Sequence, residues 1–371
     1  MKNLPTVSVI IVNYNGIKWL RMFFESIIRS NYHQDKLEII LVDNGSLDGS
    51  VDYIREKYRS NPNIKIVENG ENLGYANAVN KGIENAKGEV FFCISNDVEL
   101  HPDCIKEIVD ILSNREVGIV QPKVISIWDR KSLDSGLNYL DIYGYSYGYV
   151  PFSNKPLEVT FAEGIAWATR KDVINRIGKM EEYYFMEYDD QDICWRSLLA
   201  GYKNLFVPSA IVYHVRGGTQ GKTLFDRTLN AKWYVTNHIT TLIKNSQLNN
   251  LLRVIPVVIF IEIAKVIYLS IIKQPKLAIN TLSGLFIVLK DFKKILKKRY
   301  RVQREIRKVS DDEIRKVFHR FMPNLLYPFL LSQKKGKRFI LKAKPLLLCS
   351  ASENKNGIQR PLHTRGKRQS R

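Results

Sequence analysis

Cysteine is scarce in this sequence: Cys93, Cys104, Cys194 and Cys349 are the only four in 371 residues. None stands in a Cys-x-x-Cys pair or at another metal-ligand spacing. That excludes a zinc-ribbon or disulfide-framework scaffold and fits a reducing compartment. Cys93 and Cys194 lie in apolar runs and read as small buried residues. The opening residues, Met1 to Pro5, have neither the long apolar stretch nor the small-residue cleavage site of a secretion signal, so the folded body is expected to stay in the cytosol. Acidic residues are nearly missing from the C-terminal part. Residues 331–371 hold 12 Lys or Arg and one acid, residues 289–320 hold 13 and 5, and residues 1–288 are close to balance at 32 and 31. The net charge of +20 therefore belongs almost wholly to the last quarter. Such an asymmetry calls for a polyanionic surface, membrane or nucleic acid. No recognised nucleic-acid-binding motif accompanies it, so no specific nucleic acid is expected.

What is present begins with a repeated strand–helix alternation. Val7–Val12 is a β-branched run of the kind that forms a parallel strand buried on both faces. A helical pattern covers roughly 17–30. Further strands are expected at Leu37–Val42, Ile64–Val67, Glu89–Ile94 and Val117–Val120, and helices near 50–59, 75–86 and 103–113. This βαβαβ order predicts an α/β fold with a mainly parallel sheet. Residues 125–160, rich in Tyr, Gly, Ser and Asn, have weak periodicity and read as loop or irregular antiparallel structure. Their tyrosines suit either stacking on sugar faces or covering the sheet edge. Regular structure resumes at Val159–Thr169, with a helix near 190–200 and a strand near 205–213.

Beyond about 225 the pattern is helical. The chain divides into a body at 1–225, a helical membrane-associating region at 226–330 and a basic tail at 331–371, with disorder expected in at least its last 20 residues. Residues 254–272 approach the length of a bilayer span. Glu262 and Lys265 interrupt the run, at a cost of ~2.5–3.5 kcal/mol each at mid-membrane. An in-plane or packing helix is therefore expected instead of a span. A second apolar run, Leu277–Leu289, leads into Lys293, Lys294, Lys297, Lys298 and Arg299, an arrangement suited to an interfacial anchor. An anionic membrane surface is thus the expected partner of 254–320 and of the tail. Ser310-Asp311-Asp312-Glu313 reads as a capping box.

Polar residues cluster where strands end. The first strand runs into Asn13-Tyr14-Asn15-Gly16, the second into Asp43-Asn44-Gly45-Ser46, and the fourth into Ser95-Asn96-Asp97. In a parallel sheet these ends share one edge, which is where ligands bind in open α/β sheets. Their chemistry suits a nucleoside diphosphate: Asp43 can accept from a base or ribose, and Asp97 is a hard oxygen ligand for Mg²⁺ or Mn²⁺. Taken singly, each is an ordinary turn or cap.

Ordered motifs then carry a resemblance. They are Val7 to Asn15, Ile40 to Ser50, Asn72-Leu73-Gly74-Tyr75-Ala76, Ser95 to Leu100, Phe161-Ala162-Glu163-Gly164, Tyr188 to Arg196, and Val212-Tyr213-His214. Across about residues 5–220 the sequence resembles the family 2 inverting glycosyltransferases, especially rhamnosyltransferase-like members. The resemblance implies a GT-A fold, a nucleotide-sugar donor and a divalent cation. It further implies a saccharide or polyprenyl-linked acceptor, with the enzyme at the inner face of the cell membrane. Carried over by position, Asn13, Asn15, Asp43, Asn72, Gly74 and Asn96 would bind the donor nucleotide. Asp97 would hold the cation, with His214 as a further ligand. Asp190, or Asp189 second, would be the general base, a role that neighbouring carboxylates favour by raising each other's pKa. As an N-terminal helix pair they would also favour the dipole. Ser95 departs from the full acidic motif and leaves one carboxylate at that strand end. Asp192 and Arg196, four apart, read as a helix ion pair.

Three other readings compete. A nucleotidyltransferase wants a Gly-rich, basic phosphate loop after the first strand, where this chain has Asn13-Tyr14-Asn15-Gly16. A non-enzymatic nucleic-acid binder would use the basic tail. A donor-binding but inactive homologue would follow from Ser95.

Overall fold

The computed structural model describes residues 4–151, 154–215 and 227–319. Cys349 and the tail 331–371, with its expected disorder, lie outside them. The first half alternates as the pattern predicts. It runs β1 (Val7–Asn13), α1 (Ile17–Ile28), β2 (Leu37–Asp43), α2 (Ser50–Lys57), β3 (Ile64–Glu68), α3 (Tyr75–Asn85), β4 (Val90–Ser95), β5 (Val98–Leu100), α4 (Cys104–Leu112) and β6 (Val117–Ser126). Strands β4, β1, β2 and β3 lie side by side and parallel, in that order. Alternation along each strand feeds two cores. Ile10, Ile40 and Val42 face α3 on one side, while Val9, Ile11, Ile39 and Leu41 face α1 and α4 on the other.

The rest of the sheet departs from a parallel array. Residues 133–170 contribute β7 (Leu133–Ser135), the hairpin β8 (Leu137–Leu140) and β9 (Ser146–Tyr149), β10 (Leu157–Glu158) and β11 (Ala166–Arg170). Strand β11 slots antiparallel between β4 and β6, so β6 does not follow β4 as the βαβ order implies. All five β11 residues are buried, which gives it two faces and two ladders to satisfy. Helices α5 (Lys171–Ile177) and α6 (Asp189–Leu199) lead to β12 (Lys203–His214), which pairs parallel with β6. Tyrosines of the 139–149 stretch are half-buried and make ring contacts: Tyr145 and, from outside the stretch, Tyr188 flank His238, and Tyr139 meets Tyr149.

Four helices complete the described chain before a short α11 (Asp311–Ile314): α7 (Arg227–Asn245), α8 (Leu248–Ile271), α9 (Pro275–Lys290) and α10 (Phe292–Arg301). Gly284 lets α9 approach α7 closely; a Cβ there would stand 2.8 Å from the Lys232 carbonyl oxygen. Helix α8 is long and apolar enough to cross a membrane by length and composition. Its two central charges do not face outward, whereas Arg253 near its start is exposed. Glu262 is 1% exposed and pairs with Lys265 at 3.3 Å, and Lys265 sits over the Tyr234 ring of α7. The capping box at Ser310 and Glu313 is formed.

Candidate active site

The carboxyl ends of β1, β2 and β4 meet as the strand order requires, and their polar side chains bond to one another. Asn13 is the hub and is fully buried. Its amide donates to Asp43 Oδ1 at 2.8 Å and to Ser50 Oγ at 2.9 Å, and its Oδ1 accepts from Asn96 Nδ2 at 2.6 Å. Gly16 makes this possible, since a Cβ there would lie 1.9 Å from Asn96 Nδ2. Asp43 turns both oxygens inward. Oδ2 accepts from the backbone of Gly45 and Ser46 at 3.1 and 2.8 Å, and Oδ1 takes Asn13 and the Ser46 hydroxyl. Asp43 therefore fixes the turn at 44–46. Asn15 lies in the left-handed region at φ 51°, takes the Leu47 N–H on its Oδ1 at 2.8 Å, and is exposed.

A second layer comes from the loop before α3. Asn72 Oδ1 accepts from Asn44 Nδ2 and from Gly74 N–H at 3.2 and 3.0 Å. Gly74 has φ 81°, and a Cβ on it would stand 2.3 Å from the Phe185 carbonyl oxygen. That close approach ties the loop before α3 to the segment entering α6, where Tyr75 N–H also donates to Phe185 O at 3.1 Å.

Asp97 is 3% exposed, and its Oδ1 takes the Ser95 hydroxyl at 2.6 Å. His214, at the end of β12, brings Nε2 to 3.5 Å from the same oxygen. Its Nδ1 lies 2.5 Å from Asp134 Oδ2. Burial alone would favour the neutral ring, but hydrogen bonds and charge from Asp134 and Asp97 outweigh it and push His214 up to about 9. Among the described residues no group of three or more His, Cys, Asp or Glu side chains is arranged to hold a metal ion. Asp97 and His214 nonetheless offer one hard oxygen and one imidazole side by side. That is a fit for a divalent cation that draws its other ligands from phosphate oxygens and water.

Asp189 and Asp190 open α6 after two consecutive left-handed residues, Glu187 at φ 67° and Tyr188 at φ 65°. Asp190 Oδ2 accepts from Gly164 N–H at 3.1 Å, and Ser95 N–H donates to the Ile165 carbonyl at 2.9 Å. Residues 164 and 165 thus bridge the Asp190 carboxyl to the end of β4. Burial raises the pKa of Asp190 well above the carboxylate range, and the charges of Asp189 and Glu163 raise it further. Burial lifts Asp189 as well. Asp192 and Arg196 form the i, i+4 ion pair at 3.0 Å, joined by Lys244 of α7. They belong to the core.

Two site residues escaped the sequence pattern. Asp134 falls in the aperiodic stretch and carried no signal of its own. Trp128 is 72% exposed, its indole N–H held 3.2 Å from the Val215 carbonyl beside His214; nothing in its sequence neighbourhood marks it.

Residues 8–178 match the family model described as Glycosyl transferase family 2. The N-acetylglucosaminyl-diphospho-decaprenol L-rhamnosyltransferase of Mycobacterium tuberculosis is 26% identical over 244 residues, covering 58% of this chain and 77% of that protein. Among solved structures, GalNAc-T7 with UDP, GalNAc and Mn²⁺ superposes with a TM-score of 0.55 at 20% identity, covering 66% of this chain and 48% of that one. The mannosyltransferase PcManGT of Pyrobaculum calidifontis, in complex with GDP-Man and Mn²⁺, gives 0.50 at 17% identity, covering 81% and 86%. At these identities the likeness establishes the fold, a GT-A α/β fold with C-terminal helices. The chain spans only 26% and 47% of the length of two other curated relatives.

Proposed function

We propose that this chain, whose residues 8–178 match the Glycosyl transferase family 2 model, transfers a sugar from a nucleoside-diphosphate donor to an acceptor hydroxyl with inversion. The observation that carries the reading is the bridge between Asp190 and the β4 end through Gly164 and Ile165. It links a carboxyl of raised pKa to the strand end that bears Asp97. Asn13, Asn15, Asp43, Asn72, Gly74 and Asn96 form the nucleotide pocket, with Asp97 and His214 at its diphosphate end. A Mg²⁺ or Mn²⁺ ion held there would supply neutralisation of charge on the departing diphosphate. Asp134 and Asp97 favour the protonated His214 ring, so His214 would have to give up a proton to hold a cation.

Asp190 accepts the proton of the acceptor hydroxyl as its oxygen attacks the anomeric carbon. The bond from that carbon to the diphosphate oxygen breaks in the same displacement, so no covalent enzyme intermediate forms. A carboxylate whose pKa is raised by burial and by the charges of Asp189 and Glu163 binds a proton more readily than an ordinary one. Asp189 is the second choice for base. Rhamnose or another hexose is the inferred sugar and a saccharide or lipid-linked saccharide the inferred acceptor, in cell-surface polysaccharide synthesis. The name of the mycobacterial relative supports both. We further infer the division into a transferase domain at 1–225, a membrane-associating helical region at 226–330 and a basic tail. The chain would then sit on the cytosolic face of an anionic membrane.

The test is a panel of nucleotide sugars assayed for binding and hydrolysis with Mn²⁺, with Mg²⁺ and with chelator. A donor that is hydrolysed only with cation, and not by Asp97→Ala, supports the reading. Donor binding without turnover across the panel and a range of saccharide acceptors would identify an inactive homologue.

A further inference from the structure

The helical region carries a surface that sugar transfer leaves unused. On α8 the large apolar side chains Leu248, Leu252, Phe260, Ile263, Ile267 and Ile271 are exposed. On α9 and α10 a second line runs through Ile279, Leu282, Phe286, Leu289, Leu296 and Tyr300. Steps of mostly three and four residues keep each line on one helix face. The only carboxylate between 248 and 290 is Glu262, which is buried and paired with Lys265. The outer surface of α8 and α9 therefore carries the two apolar lines and some cations, with no acidic group on it. Contiguous exposed apolar surface of this kind marks an interaction site, unlike singly scattered residues.

At one end of both lines lies a cavity of about 1040 Å³, between the first turns of α8 and the α10 end with the turn after it. Five arginines line it, Arg253, Arg299, Arg304, Arg307 and Arg315, against one acid, Asp312. Three of the five are engaged. Arg307 pairs with Asp311 at 2.9 Å, Arg315 pairs with Asp312 at 3.1 Å, and Arg299 donates to the Ser246 carbonyl at 2.6 Å. Arg253 and Arg304 make no hydrogen bond or ion pair among the described residues. The same cavity is rimmed by Leu248, Leu296 and Tyr300, which are members of the two apolar lines.

We propose that this cavity binds the phosphate headgroup of an anionic phospholipid while the two apolar lines seat in the same leaflet. The inference rests on the membrane association inferred above and gives it a specific lipid contact. Guanidinium forks match phosphate oxygens bidentately. An in-plane helix pair buries its apolar face at the depth of the headgroup boundary. A cavity with unengaged guanidiniums and an apolar rim fits an amphiphilic anion; a wholly soluble phosphate would have no use for the rim.

The test uses the full chain in sedimentation with phosphatidylcholine vesicles, with and without phosphatidylglycerol. Arg253→Ala/Arg304→Ala removes the cavity cations, and Lys293→Ala/Lys294→Ala removes the same charge from α10 outside the cavity. Both pairs are exposed, and folding is checked by melting temperature. The expected result is that the arginine pair loses the preference for phosphatidylglycerol about tenfold or more, and the lysine pair loses clearly less. Soluble glycerophosphoglycerol should compete with the wild type alone. Equal losses in both pairs would overturn the site in favour of diffuse electrostatics. Phe260→Ser/Phe286→Ser addresses the membrane reading separately: it should abolish vesicle binding and leave the glycerophosphoglycerol-induced rise in melting temperature intact. If the wild type shows that rise but ignores all vesicles, the membrane reading fails and the lipid assignment with it, leaving a soluble phosphate as ligand.

Discussion

His214 Nδ1 lies 2.5 Å from Asp134 Oδ2, across eighty residues of chain, and so His214 reaches Asp97 with its other nitrogen. The orientation of the ring is set by Asp134, not by the strand that carries it. A carboxylate behind a ligating imidazole fixes its tautomer and strengthens it as a ligand, and losing such a partner costs roughly 10–100-fold in metal affinity. Asp134→Asn is expected to raise the Mn²⁺ concentration needed for half-maximal donor hydrolysis by about that factor, with little change in activity at saturating Mn²⁺. Titration of activity against free Mn²⁺ in both proteins measures it. An unchanged curve would mean that His214 takes no part in cation binding.

Asp190 is held in a place that favours its protonated form, through burial and the charges of Asp189 and Glu163. In the unfolded chain it ionises at about 3.9. Between that value and the raised folded value the folded protein binds the extra proton, so stability falls as pH rises, and above the folded value the loss is complete. Asp190→Asn removes this penalty. The variant should melt above the wild type at pH 7, and the gap should close near pH 4. Sugar transfer should fall by about 10²–10⁴-fold, the usual worth of a general base. Thermal melts across pH, paired with turnover, read both at once. A variant that is inactive and also less stable at pH 7 would mark Asp190 as a helix-capping carboxylate.

The sheet edge was legible because it needs only strand order: Asn13, Asp43 and Asp97 end neighbouring strands, and parallel neighbours end together. The insertion of β11 was not legible, since Ala166–Arg170 pairs with strands far away in sequence and leaves no local period. Asp134 was hidden for the same reason. The direction of Asp43 was hidden differently. An aspartate before Asn-Gly can face a ligand or its own turn, and backbone N–H groups two and three residues on decide the matter at short range. The ion pair of Asp192 and Arg196 was legible because helix geometry alone brings residues four apart together.

Gly74 gives a test of how the loop before α3 is coupled to α6. At φ 81° an alanine is strained, and its Cβ would meet the Phe185 carbonyl oxygen, a backbone atom that cannot swing aside. Gly74→Ala should lower stability by ~1–3 kcal/mol. It should also shift the Phe185–Asp190 segment, so that turnover drops along with donor affinity. Denaturation midpoints and separate kcat and KM values check this. A change in KM alone would mean that the loop serves the nucleotide without positioning α6.

The pair Glu262 and Lys265 decides how α8 is meant to sit. Read on the sequence, two charges in an apolar run obstruct a membrane span. In the fold they face α7, with Glu262 1% exposed and Lys265 over Tyr234. Removing one partner leaves a buried charge unpaired, which costs about 3–5 kcal/mol, whereas replacing both by apolar groups of similar size is often neutral. Lys265→Met should therefore destabilise the protein by that amount, and Glu262→Met/Lys265→Met should recover most of the loss. Chemical denaturation of the wild type and these two variants in aqueous buffer checks both expectations. If Lys265→Met melts like the wild type, the contact between α8 and α7 is absent in solution, and α8 would be free to enter a bilayer as a span.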